Sequence, residues 1–322
     1  MPAVSVVMPA YNVAPYIGEA IESVLNQTWE DFELLIVDDG GADGSAAIAE
    51  TYGARDPRVR VIRQANAGIS AARNHGLRVA TSPVIAVLDS DDAWAPTFLE
   101  QQLSILRDHP EVDIVTGNAW FLGSSLDGEP ARPWPDSRPA PTLADILADE
   151  TAVFIMSIFR RRVYETIGPF DESLRTNEDY DFWLRAACAG FVFYRNDTPL
   201  GHYRRRGNSL SADELRMLPG ILQVFRKLRP RLLNRPAELA ILDAQIARFE
   251  TEHVAAEARG AIEAGDFAAA RRHLCALHGR RGGAVLRVAK VMARWTPVLL
   301  SAAYNVRRAR LAVSRAARHR IA

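Results

Sequence analysis

Apolar and polar positions along the first ninety residues follow two periods in turn. Val4-Ser5-Val6-Val7-Met8 is a short apolar run that stops at Pro9-Ala10-Tyr11-Asn12. From Tyr16 to Asn26 the apolar residues fall at Ile17, Ala20, Ile21, Val24 and Leu25, the spacing of one helix face. Phe32 to Val37 is a second apolar run, halted by Asp38-Asp39-Gly40. A helix over Ser45–Tyr52, a strand over Val59–Ile62 and a helix over Gly68–Val79 follow, the last with Ala71, Ala72 and Gly76 on one side. Val84 to Leu88 is the fourth apolar run. Strands that are apolar on both faces are buried on both faces. Strands alternating with helices at this spacing predict a mostly parallel, doubly wound α/β sheet.

The pattern then loosens. A helix is expected over Thr97–Asp108, a strand over Val112–Val115 and an exposed loop over Leu126–Thr142, which holds five prolines. A short helix over Leu143–Leu147, a strand within Ala152–Phe159, a helix opening at Glu178 and a strand over Phe191–Tyr194 complete this part. From Asp213 the chain is Ala-rich and helical, with one helix-turn-helix unit over Ala261–Leu274. One copy does not make a repeat array. The expected division is therefore a sheet domain, 1–212, and a helical extension, 213–322.

Charge changes the picture of that extension. The net charge is zero, yet all 39 acids lie in residues 1–266, against 26 of the 39 bases. The other 13 bases follow Asp266. An acidic body with a basic tail points the tail at an anionic surface. Arg294 and Arg307 enclose only twelve uncharged residues, interrupted by Pro297, too few to span a bilayer. A basic amphipathic helix lying on a membrane, or a helix packed on the body or on a partner, is the expectation. Two distant cysteines, Cys188 and Cys275, and the absence of a basic leader before the first strand suggest a cytoplasmic protein, peripheral on the inner face of the membrane.

Candidate chemistry sits where the strands stop. In doubly wound sheets ligands bind outside the carboxyl ends of the strands. Tyr11-Asn12, Asp38-Asp39 and Asp89-Ser90-Asp91-Asp92 all fall there. Clustered carboxylates repel one another unless a cation joins them, and oxygen ligands suit Mg²⁺ or Mn²⁺. The same Asp and Ser residues also compose ordinary turns and helix caps. No glycine-rich phosphate loop follows the first strand, which argues against a dinucleotide-binding dehydrogenase or a nucleotidyltransferase.

Taken together, Pro9-Ala10-Tyr11-Asn12, Val37-Asp38-Asp39-Gly40, Gly68-Ile69-Ser70-Ala71-Ala72-Arg73-Asn74, Asp89-Ser90-Asp91-Asp92 and Glu178-Asp179 with Trp183-Leu184-Arg185 resemble family 2 glycosyltransferases, over residues 3 to about 211. The resemblance implies a GT-A fold, a nucleoside-diphosphate sugar donor, most simply a UDP-sugar, a divalent metal (Mn²⁺ or Mg²⁺) and inversion at the anomeric carbon. It implies a donor site from Pro9, Ala10, Tyr11, Asn12, Asp38, Asp39, Asn66, Arg73, Asp89, Ser90 and Arg206. Tyr11 would stack on the base. Asp39, ahead of Asp38, would take the uracil imide N–H, and Arg73 would meet the diphosphate. Asp91 would bind the metal, with Asp89 and Asp92 beside it. Asp179, with Glu178 as its neighbour, would be the base that an inverting transfer needs.

One position departs from the family. Members often carry His where this chain has Arg206, in Tyr203-Arg204-Arg205-Arg206-Gly207-Asn208-Ser209. His could ligate a metal and Arg cannot. Arg206 would then neutralise phosphate, or His202 would take part of the task. The expected partners are the donor and a glycan or lipid-linked acceptor in cell-envelope polysaccharide synthesis, with no nucleic acid. No Gln-x-x-Arg-Trp motif is present, so addition of one or a few sugars is expected. The competing reading is a non-catalytic sugar-nucleotide-binding or scaffold protein on the same fold.

Overall fold

The computed structural model describes residues 2–123, 126–135, 140–206, 213–281, 288–289 and 291–292. The chain forms two compact units, residues 1–209 with 224–242, and residues 210–223 with 243–322.

In the first unit β1 (Val4–Ala10), β2 (Phe32–Asp38) and β4 (Val84–Val87) are buried along their whole length. β3 (Val59–Arg63) is only partly so. β1 pairs in parallel with β2 and β4, and β2 with β3. The helices between them are α1 (Ile17–Leu25), α2 (Ser45–Gly53) and α3 (Ile69–Val79). α3 lies close on the sheet because Gly76 has no Cβ; one added there would come within 2.4 Å of Val7. The chain runs β1, β2, β3 to one side and then returns with β4 on the other side of β1. The strand order thus reverses at β1/β4, the point at which doubly wound sheets bind ligands outside their strand ends.

The other half of the sheet is mixed. It holds β5 (Ala93–Trp94), β6 (Ile114–Leu122), β7 (Ser157–Arg160) and β8 (Phe193–Arg204). The full order is β3-β2-β1-β4-β7-β6-β8-β5, with β4/β7, β6/β7 and β5/β8 antiparallel and β6/β8 parallel. The helices here are α4 (Phe98–Asp108), α5 (Leu143–Ala148), α6 (Arg161–Ile167) and α7 (Glu178–Cys188).

Several expectations change here. The strand expected at Val112–Val115 extends to Leu122, and the one at Phe191–Tyr194 runs to Arg204. Each supports the other: Phe121 lies opposite Tyr203 and Leu122 opposite Arg204, across register shifts near Asn118. Pairing with a distant strand supplied what the local pattern lacked. The loop expected to be exposed over Leu126–Thr142 buries Arg132, which is 4% exposed. Its guanidinium donates to the carbonyls of Ala152 (2.9 Å) and Gly117, satisfying backbone acceptors beside the irregular stretch of β6. Trp134 of the same loop stays half exposed, edge-on to Trp120.

Residues 224–242 also belong to this unit. Phe225, in α8 (Glu214–Leu228), meets the Tyr180 ring, Lys227 pairs with Asp171, and Arg235 donates to the Cys188 carbonyl at 3.0 Å. The second unit contains a helical hairpin. α9 (Pro236–Glu263) and α10 (Phe267–Arg281) are joined by a turn whose Gly265 takes φ +73°. That turn lies within the helix-turn-helix unit expected from sequence. Ala258, Ile262, Ala270, Leu274 and Leu277 form its small core. The basic segment Arg294–Arg307 lies outside the described residues. Among the described residues no helix is long and apolar enough to cross a membrane.

Candidate active site

Two acidic corners flank the end of β1. At the first, β2 ends in Asp38 and passes into a turn through Asp39. Gly40 takes φ +72°, and a Cβ on it would lie 3.0 Å from the Asn66 nitrogen. A Cβ on Gly41 would lie 2.9 Å from the Asn12 nitrogen. Asn12 itself takes φ +52° and accepts a hydrogen bond from the Ala42 N–H at 3.0 Å. These glycines let the β1 and β2 ends touch. Tyr11, at the end of β1, is 51% exposed.

Asp39 is almost fully buried and its acceptors are filled. Oδ1 accepts from Gln64 Nε2 (2.7 Å) and the Ala67 N–H (2.8 Å); Oδ2 accepts from the Gly68 N–H (2.9 Å) and Asn66 Nδ2 (3.3 Å). Asn66 Nδ2 also donates to the Asp39 carbonyl at 3.0 Å. An ionised carboxylate has about four lone-pair sites. Among the described residues, buried Asp38 Oδ1 has no hydrogen-bond partner.

The second corner follows β4. Asp89, Ser90, Asp91 and Asp92 form a tight turn, closed by Asp92 N–H to the Asp89 carbonyl at 3.0 Å. Here arginines do the neutralising. Arg73, on α3 and 2% exposed at its side chain, donates from Nη2 to Asp89 and from Nη1 to Glu178, both at 2.6 Å. Burial opposes its charge, but Asp89 and Glu178 outweigh that and hold its pKa above the ordinary arginine value. Arg204 N–H donates to Asp92 Oδ1 at 2.7 Å, its Nε to the Asp91 carbonyl at 2.9 Å and its Nη2 to Glu19 at 2.5 Å. Arg206 Nη2 lies 2.7 Å from Asp91 Oδ2. Both guanidiniums stand over the Tyr16 ring, at 5.0 and 5.2 Å.

These partners do not relax the carboxylates fully. Burial, then Asp89, raises the Asp91 pKa. Burial, then Asp91 and Asp89, raises that of Asp92 well above its ordinary value. Buried Asp92 Oδ2 has no hydrogen-bond partner among the described residues. Six carboxylates (Asp89, Asp91, Asp92, Glu178, Asp179 and the Glu19 on Arg204) stand against three guanidiniums, an excess that a divalent cation would reduce. The donor chemistry fits Mg²⁺ or Mn²⁺. No three His, Cys, Asp or Glu among the described residues are arranged as a finished metal site, however.

Glu178 and Asp179 open α7. Asn177 precedes them with φ +59°, a left-handed position that Asn tolerates. Asp179 Oδ1 accepts the Tyr180 N–H at 2.8 Å. Burial and then Glu178 raise its pKa to about 6, against the pull of Arg73. The Arg73 bridge therefore ties the helix that carries the candidate base to the turn after β4. Behind α7, a separate cavity of about 500 Å³ is lined by Phe170, Asp181, Arg185 and Lys227 rather than by these carboxylates.

The sequence reading is redistributed more than displaced. Arg73, expected at the diphosphate, is a buried bridge between Asp89 and Glu178. Ser90 is buried in the turn, and Pro9 and Ala10 are buried in β1. Arg204 and Tyr16 were missed. Strand alternation across Tyr203-Arg204-Arg205-Arg206 could have found Arg204, because it puts Arg204 and Arg206 on one side and Arg205 on the other. Arg205 indeed lies over Phe121, at 5.6 Å. Nothing local marked Tyr16.

The family model for glycosyl transferase family 2 matches residues 5–168, half of the chain. The chain belongs to glycosyltransferase family 2. TuaG of Bacillus subtilis (strain 168), a glycosyltransferase provisionally assigned to teichuronic acid biosynthesis, is 31% identical over 229 residues, 70% of this chain and 88% of the relative. Against two further relatives of that organism, at 36% and 34% identity, this chain spans only 63% and 61% of their length. Among solved structures, S. aureus TarS 1–349 in complex with UDP-GlcNAc superposes with a TM-score of 0.62 at 20% identity, covering 92% of this chain and 89% of that one. The mannosyltransferase PcManGT from Pyrobaculum calidifontis, in complex with GDP-Man and Mn²⁺, gives a TM-score of 0.59 at 20% identity, covering 95% and 87%. At that identity the likeness is one of fold, and the fold is the family's mixed α/β sheet with flanking helices.

Proposed function

We propose that this family 2 glycosyltransferase moves a sugar, with inversion and with a divalent metal, from a UDP-sugar to a hydroxyl of a glycan or glycolipid in cell-envelope polysaccharide synthesis, at the cytoplasmic face of the membrane. The observation that carries this reading is Asp179, a carboxylate of raised pKa tied through Glu178 and Arg73 to the carboxylate turn after β4.

In this reading Tyr11 stacks on the base, and the Asp38–Asp39 corner meets its imide edge. Asp39 holds the 64–68 loop in shape, and Asp38 Oδ1 is the acceptor still open. Asp179 takes the proton of the acceptor hydroxyl as that oxygen bonds to the anomeric carbon. The bond from that carbon to the diphosphate oxygen breaks on the opposite side, and the electron pair leaves with the diphosphate. A pKa near 6 leaves Asp179 mostly ionised at neutral pH and still able to accept the proton. Asp91, with Asp89 and Asp92, would hold the metal, which supplies Lewis-acid stabilisation of the departing diphosphate. Arg206, paired with Asp91, would meet the same diphosphate. PcManGT with GDP-Man and Mn²⁺, and TarS with UDP-GlcNAc, support donor and metal by analogy. TuaG supports the envelope role in the same way.

A scaffold that binds nucleotide without turnover is the second reading, favoured by the arginines seated on Asp89 and Asp91. Titration calorimetry with UDP, with and without Mn²⁺, on the wild type and Asp91→Ala tests the donor site. Mn²⁺-dependent UDP binding, weakened about tenfold or more in the variant, is expected. UDP release from a UDP-sugar in the presence of acceptor then separates enzyme from scaffold.

A further inference from the structure

The three arginines at the carboxylate turn are not held alike. Arg73 is sealed between Asp89 and Glu178. Arg204 closes the turn through its own backbone N–H, to Asp92, and its Nε, to the Asp91 carbonyl, while its Nη2 reaches Glu19. Arg206 lies just past the end of β8, keeps a quarter of its side chain exposed, and pairs with an oxygen of Asp91, the carboxylate to which the proposed function gives the metal.

We propose that Arg206 is a latch on Asp91. It occupies that carboxylate while the nucleotide site is empty, transfers to the diphosphate when a nucleoside diphosphate enters, and so makes divalent-cation binding follow nucleotide binding. This rests on the donor reading above and adds an order to it. An arginine neutralises a carboxylate without ligating a cation, and it does not lose its proton. A metal arriving first must therefore displace the guanidinium, and its apparent affinity falls by the fraction of molecules with the latch closed. A diphosphate offers the guanidinium an alternative anion with two-oxygen geometry. Once Arg206 has moved, six carboxylates, Glu19 among them, face two arginines, and the demand for a cation rises. A histidine at this position would add a ligand where Arg206 is a competitor, so the order is a property of this chain's own residue.

Mn²⁺ affinity of the full chain, measured by calorimetry without nucleotide and again with saturating UDP, tests this on the wild type, Arg206→Ala, Arg206→Gln and Arg205→Ala. Without nucleotide, both Arg206 variants should bind Mn²⁺ about tenfold or more tightly than wild type. Arg205→Ala removes an equal charge next door and should change this by less than about threefold. UDP should tighten Mn²⁺ binding by a larger factor in the wild type than in the Arg206 variants, as coupling between two sites requires. Equal Mn²⁺ affinity of wild type and Arg206 variants, or an equal gain in Arg205→Ala, overturns the latch. If UDP binds but Mn²⁺ binds none of the proteins even with UDP present, the metal reading itself falls and takes the latch with it.

Discussion

The two acidic corners beside β1 carry similar residues and are neutralised by different means. At Asp38–Asp39 the donors to Asp39 are two backbone N–H groups and two side-chain amides within residues 64–68. At Asp89–Asp92 the partners are mostly arginines from α3 and the end of β8. Backbone donors are fixed by the fold and cannot leave. Guanidiniums on long side chains can exchange one anion for another. The first corner is therefore held by donors the fold fixes, and the second largely by guanidiniums that a competing anion can draw away.

The largest expected effect is at Asp179, the proposed base. Asp179→Asn should lower transfer by about 10²- to 10⁴-fold while leaving UDP affinity near wild type, measured by product formation and calorimetry. In the wild type the rate should climb with pH through about 6 and then level, because the proposed role of Asp179 needs its ionised form. A flat profile across that range would remove Asp179 from the role.

Arg73 tests whether the exchangeable corner has one fixed member. Arg73→Met leaves two buried carboxylates without their partner and should cost about 3–5 kcal/mol, read from denaturant unfolding. In the folded fraction it should also move the rising limb of the pH–rate profile above 6, since Arg73 holds the Asp179 pKa down. Arg73→Lys, which keeps the charge, should shift the profile less.

At the rigid corner, Asp39→Asn presents an amide where four N–H donors converge. It should cost about 1–3 kcal/mol, seen as a lower Tm, and should weaken UDP binding. Asp38→Asn should weaken UDP binding with little change in Tm. Loss of Tm in both variants would make both residues structural.

The smallest effect expected is on stability with pH. Asp91, Asp92 and Asp179 have folded pKa values raised above their unfolded ones, so the native state binds the extra protons. Their contribution to stability is fully present below the ordinary carboxylate value and is lost as pH rises through the raised values, for Asp179 between about 4 and 6. Glu33 runs the other way. Burial raises its pKa, but Ser5 and Thr81 outweigh that and lower it, so its contribution is lost as pH falls. Thermal melts of Asp92→Asn against wild type, without divalent cation, should show the variant gaining relative stability as pH rises from 4 to 7.

Much of this site was legible because the strands of the first half are continuous apolar runs that stop abruptly at polar residues. Burial on both faces fixes where such a strand must end, and the parallel topology sends those ends to one edge. The second half was less legible. β6 and β8 take their length from pairing with each other, and Arg132 is buried because carbonyls of two distant segments need a donor. Neither fact has a local signature in the chain.

By itself, then, the sequence determined the order of the first four strands, the carboxylates at their ends and the acidic start of α7. Periodicity and charge are properties of neighbouring residues. Only the tertiary structure decided how those carboxylates are neutralised. It seated Arg73 between Asp89 and Glu178, 105 positions apart from the latter, and brought Arg206 onto Asp91. An ion pair depends on distance in space, which a linear pattern does not carry, and the low dielectric of a buried strand end makes that distance decisive.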